Sequence, residues 1–166
     1  KIMEQSTPED YELFCPNLSY QLQDLAGDLL FIVSGASMKS GAALNILSQI
    51  KDMCNINVLY IRPDATSLGA KEKLQERAVF HVFQEYARSG LFEQMYIVEN
   101  SAMEDIVGDV PILEHYARIN DMLATTIHMI NVFNHSEPLV GTNLEPRKAN
   151  RISTLGMVDI ENEKEK

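Results

Sequence analysis

The chain has 166 residues, and 14 Lys and Arg against 24 Asp and Glu leave it a formal charge of −10 at neutral pH. That length fits one domain with a sizeable core, and 45% hydrophobic with 23% charged residues is ordinary globular usage. Acid spread along the chain leaves no basic stripe to neutralise phosphates, which argues against nucleic-acid or anionic-membrane binding and leaves small ligands and protein partners.

Two cysteines, Cys15 and Cys54, make neither a disulfide framework nor paired metal-ligand spacing, so a reduced, cytoplasmic setting and no metal centre are expected. The histidines His81, His115, His128 and His135 fall on predicted helices without a zinc-type arrangement and read as packing or surface residues. No apolar run reaches membrane-span length and no signal peptide opens the chain. The first residue is Lys1 rather than Met, which fits a piece of something longer.

In chain order, a Pro- and acid-rich opening reads as loop, and Leu18, Leu22 and Leu25 at helical spacing predict a short lead-in helix. The run Leu29–Val33 predicts a strand buried on both faces of a parallel sheet. Residues 42–53 predict a helix with Ala43, Leu44, Leu47, Ile50 and Met53 on one side. Val58–Ile61 repeats the buried-strand signal and stops at Arg62-Pro63-Asp64.

A long helix over 70–89 aligns Leu74, Ala78, Val82 and Tyr86, widened by Val79 and Phe83, with a charged opposite face and Gly90 as its cap. Met95–Val98 is the next strand, and Met103–Val107 a short helical turn. This alternation argues for a three-layer α/β domain with a parallel sheet and right-handed crossovers. A helix over 111–135 carries apolar residues nearly all round, so a second domain or partner chain is expected to cover it. A loop over 137–148, a fourth strand over 154–160 and a charged end over 161–166 complete the pattern. The implied organisation is a partial nucleotide-binding domain over 1–110, a central helix over 111–136, and an interface loop with the start of a second domain over 137–166.

In a parallel sheet, ligands sit at the carboxyl ends of the strands. After the first strand, residues 34–42 (S-G-A-S-M-K-S-G-A) join it to a helix amino end with small residues, hydroxyls and Lys39, which suits a phosphate or else makes a plain tight loop. After the third strand, Asn100 can meet a heterocycle edge or cap the following turn. Tyr116 and Asn120 share a helix face, setting a flat ring beside a bidentate amide that could hold a purine, or leaving a core tyrosine beside a solvated asparagine.

These segments together resemble the middle of a tubulin/FtsZ family protein over roughly residues 18–158. L-L-F-I-V-S-G-A-S-M-K-S-G-A-A resembles that family's strand and phosphate loop, usually G-G-G-T-G-[ST]-G. I-V-E-N-S-A-M-E-D-I resembles tubulin's D-N-E-A-[IL]-Y-D-I, and Y-A-R-I-N-D its Y-T-N-L-N at the start of the central helix. The resemblance implies a Rossmann-like sheet, with GTP or GDP, with or without Mg2+, held at its phosphates by Gly35, Ser37, Lys39, Ser40 and Gly41 and at its guanine by Asn100, Tyr116 and Asn120.

Departures accompany it. Ala36, Ser37 and Lys39 stand where the family has glycines, Met38 replaces its threonine, and Leu68, once one inserted residue is allowed, occupies the place of a ribose-binding glutamate. Residues 142–148 resemble the loop N-x-D-x-x-D/E that enters the next subunit's site, with Asn143, Glu145 as first acid and Lys148 in place of the second. A lysine there removes charge needed to polarise water and bind a cation. β-tubulin has a comparable Arg-Lys ending where nucleotide is not turned over, so the resemblance implies head-to-tail assembly, by itself or within a larger structure, with weak or absent hydrolysis. The readings are a guanine-nucleotide-binding filament subunit, a tubulin-like structural or interaction protein that lost the nucleotide, and an unrelated Rossmann-like enzyme, the last weakened by the lack of a nucleophile–base pair.

Overall fold

The computed structural model describes residues 4–141 and 150–156. Contacts divide these into two compact units, one holding residues 4–100 and 150–155 and the other residues 101–141 with Gly156. Among the described residues no helix is long and apolar enough to cross a membrane.

The first unit is α/β. Its elements run α1 (Pro8–Leu13), β1 (Asp28–Ser34), α2 (Ser40–Ile50), β2 (Asn55–Arg62), α3 (Ala70–Ser89) and β3 (Gln94–Glu99), and β4 (Ile152–Thr154) returns to it. All four strands are parallel, in the order β1-β2-β3-β4, with Val33 beside Tyr60, Tyr60 beside Ile97, and Ile97 beside Thr154. The core lies where β2 and β3 meet α2 and α3. Leu47, Val58, Tyr60, Phe83, Phe92 and Met95 are all fully buried there, and the Phe83 ring tilts against both Tyr60 and Phe92 at centroid distances of 5.6 and 5.7 Å.

Several expectations change against the structure. The opening is a helix, because Thr7 caps it by accepting from the Asp10 N–H, Pro8 fixes the first turn, and Glu9 and Asp10 favour the amino end. The predicted lead-in helix is instead a set of turns over 19–24, with one helical bond from the Leu22 N–H to the Leu18 carbonyl. β1 is not buried on both faces: among the described strands it is an edge, and Ile32 is 58% exposed.

On α3 the buried face is Glu76, Phe83 and Ala87, while Leu74 is 69% exposed. The aromatic packing of Phe83 sets this rotation, and Leu74, Ala78 and Val82 turn to a groove they share with α1 and Leu44 of α2. The helix bounds hold closely, with Gly90 in the left-handed conformation at φ 83° and Glu72 reaching back to the Gly69 N–H at 2.8 Å.

The second unit holds α5 (Ile112–His135) and all of α4 (Asn100–Val107) beyond its first residue, which closes the first unit. The apolar wrap of α5 is visible: Leu113 is 96% exposed, and Met129, Val132 and Phe133 are exposed as well. The fourth strand begins and ends earlier than expected, and residues 157–160 of that reading lie outside the described residues.

Candidate functional site

The turn after β1 brings Gly35, Ser37, Lys39, Ser40 and Gly41 together at the amino end of α2. Its two glycines answer to packing. A Cβ on Gly35 would run into the Tyr60 hydroxyl, and one on Gly41 into the Pro8 carbonyl oxygen, so a core ring and the start of α1 press on those positions.

Most donors of this turn are already engaged, that of Gly35 with the Ile61 carbonyl of β2 at 3.4 Å. The N–H groups of Ser37, Ser40, Gly41 and Ala42 each donate to the carbonyl three residues back, and that of Lys39 donates to Ser37 Oγ at 3.3 Å. Ser40 is buried, its hydroxyl donating to the Gly35 carbonyl and accepting from Gln75 Nε2 at 3.2 Å. An anion would have to open these bonds before those N–H groups could hold it. Lys39 is exposed and supplies no side-chain cap to α2.

The carboxyl end of β2 is different. Arg62 donates through Nε to Glu76 Oε1 at 3.1 Å and through Nη1 to Glu99 Oε1 at 3.3 Å, and its guanidinium lies 4.6 Å over the Phe80 ring. One cation thus ties α3 to the ends of β2 and β3. Glu76 is buried at 7% exposure, which only its pairing with Arg62 makes tolerable. The Tyr60 hydroxyl donates to the Glu76 carbonyl at 3.4 Å, and burial, reinforced by the Glu76 charge and opposed by Arg62, holds the phenol far above its ordinary value. Outside this cluster opens a cleft of about 560 Å³ lined by Arg62, Glu76, Arg77, Phe80, His81 and Gln84, with Leu74 and Ala78 at its edge.

Asn100 opens α4 at the residue after β3, is half-buried and has a contact of its own. Tyr116 and Asn120 lie one turn apart on α5, as the spacing predicts. Tyr116 is 71% exposed and meets the His115 ring edge-on at 5.6 Å, and Asn120 is exposed. They belong to the second unit and Asn100 to the first. Asn143, Glu145 and Lys148 lie outside the described residues.

Sequence reasoning missed the Arg62–Glu76–Glu99 cluster. The available signal was a glutamate at position 76, in register with Phe83 and Ala87 on a helix whose apolar residues occupy more than one stripe. Among the described residues no group of three or more His, Cys, Asp or Glu is placed to hold a metal ion. No protein-family model, no curated protein and no solved structure matches this chain.

Proposed function

We propose that the chain is part of a tubulin/FtsZ-like cytoskeletal subunit of the cytoplasm that binds a guanine nucleotide and assembles head to tail, with weak or absent GTP hydrolysis. The observation that carries this reading is the order of elements. Parallel strands alternate with helices, a small-residue turn follows β1, Asn100 follows β3 directly, and a 24-residue α5 sets Tyr116 and Asn120 on one face. The Rossmann-like, three-layer form of the family's nucleotide domain belongs to the same proposal.

In this reading Asn100, Tyr116 and Asn120 contact the base, and the exposed Tyr116 and Asn120 are accessible to one. Gly35, Ser37, Lys39, Ser40 and Gly41 face the phosphates, which requires the turn to release its inward N–H bonds. Mg2+, when bound, would offset phosphate charge. Glu145 is the remaining acid of the interface loop and Lys148 replaces its partner, so turnover across that interface is slow.

A second reading, the same fold and assembly without nucleotide, is favoured by one feature: Tyr60 and Pro8 fill the space above Gly35 and Gly41. Nucleotide content separates the two. Guanine nucleotide released from the purified intact protein, with pelleting that depends on added GTP, supports the first. Pelleting with an empty site supports the second. A protein that neither pellets nor carries guanine nucleotide sinks both. If the base contacts are right, Asn120→Ala weakens guanine binding by about 1–3 kcal/mol through an unpaired edge, as read by titration with GDP.

A further inference from the structure

We infer that the cleft outside Arg62 is a binding site for a small phosphate monoester with a flat or apolar body, separate from the turn after β1. Its position is the usual one for ligands in a parallel sheet, at the carboxyl end of a strand, and about 560 Å³ is within the range that small ligands occupy.

The chemistry of the lining selects the ligand. The carboxylate that lines the cleft, Glu76, is taken by Arg62, and Arg62 is in turn fixed by Glu99 and by the Phe80 ring. Three further polar side chains line it, Arg77, His81 and Gln84, at i, i+4 and i+7 on one face of α3. Among the described residues none of these three has a hydrogen bond or an ion pair. A guanidinium, an imidazole N–H and a side-chain amide give a set dominated by donors, which calls for an acceptor-rich anion. Three donor groups match the three terminal oxygens of a phosphate monoester, whereas a carboxylate offers two. Phe80, Leu74 and Ala78 supply the apolar surface against which the rest of such a ligand lies. The paired Arg62 is part of the wall that holds Phe80 and positions this surface, so its pairing is compatible with the site.

The test is titration of the intact protein with phenyl phosphate, inorganic phosphate and benzoate, followed by calorimetry and by the shifts of the His81 ring protons. Phenyl phosphate is expected to bind saturably, tighter than inorganic phosphate and roughly tenfold tighter than benzoate. Arg77→Gln and His81→Gln, both at exposed positions, should each weaken it by about tenfold with unchanged melting. Lys73→Gln removes a cation one turn away that does not line the cleft, and should change affinity less than twofold. The inference is overturned by an absence of saturable binding, by equal affinity for benzoate, or by a loss in Lys73→Gln that matches the loss in Arg77→Gln, since the last would reveal only diffuse charge. Because no guanine is used, the outcome is independent of the nucleotide reading.

Discussion

The turn after β1 and the end of β2 are neighbours in one sheet, and they present opposite kinds of surface. The turn has the small residues that suggest a ligand loop, yet its glycines are pressed by Tyr60 and Pro8 and most of its N–H groups are already taken. The end of β2 has an ordinary Arg-Pro-Asp stop, yet it carries a buried carboxylate, a shared guanidinium and an open cleft with donors unused among the described residues. Glycine in a loop therefore has two physical origins, room for a ligand and room for a neighbouring side chain, and only the neighbours distinguish them.

The sharpest way to break this comparison is Gly35→Ala. The new methyl meets the Tyr60 ring, so unfolding in urea should show a loss of about 2–3 kcal/mol, part of it recovered in Gly35→Ala with Tyr60→Phe, where the closest atom is gone. A neutral Gly35→Ala would mean that the turn has room for a ligand after all. Gly41→Ala should cost less, about 1–2 kcal/mol, because α1 is a short helix that can shift outward. Faster proteolysis after Leu13 or Phe14 would report that shift, and an unchanged cleavage rate would contradict it.

The β2 end is tested by a double-mutant cycle between Arg62→Met and Glu76→Gln. The expected coupling is about 1 kcal/mol, since Glu76 is nearly buried but the Arg62 side chain is 35% exposed and keeps Glu99. A coupling near zero would reduce the cluster to a surface pair. The smallest effect appears only at alkaline pH. Tyr60 ionises far above the ordinary value of 10.0 in the folded unit, so its contribution is complete below about pH 10 and is lost as pH rises beyond it. Absorbance at 295 nm should show one of the six tyrosines ionising only as the unit unfolds; six tyrosines titrating together in the folded protein would refute this.

How much of this was legible follows from which signals are local. The runs of β2 and β3 and the ends of α3 are written in consecutive residues: apolar blocks, a glycine before Ala70 and another after Ser89. The exposure of Ile32 was not legible, because it depends on β1 being an edge, and strand order is not a property of the strand's own residues. α1 hid behind acid-rich composition although Thr7-Pro8 is a strong start signal. The Arg62–Glu76 pair joins positions 14 residues apart on different elements, and a glutamate in a helix reads as solvated until the fold buries it. Of the candidate site, the spacing of Tyr116 and Asn120 and the grouping of residues 35–41 were readable, whereas the closure of that turn came from Tyr60 and Pro8, far away in sequence.

The return of β4 sets the timetable on which the first unit becomes whole. β1, β2 and β3 pair in the order they are made, but about fifty residues separate Glu99 from Ile152, a long loop to close for a strand of three residues. The stitches that hold β4 are the Met95 N–H on the Arg151 carbonyl at 2.7 Å and the Leu155 N–H on the Ile97 carbonyl at 2.8 Å, with Arg151 Nη1 on the Phe92 carbonyl at 2.9 Å. During synthesis β3 must wait as an open edge until the ribosome has delivered all of residues 101–150. The second unit is then an interval in the assembly of the first, and a chain stopped within that interval would release a three-stranded sheet whose unpaired border invites aggregation.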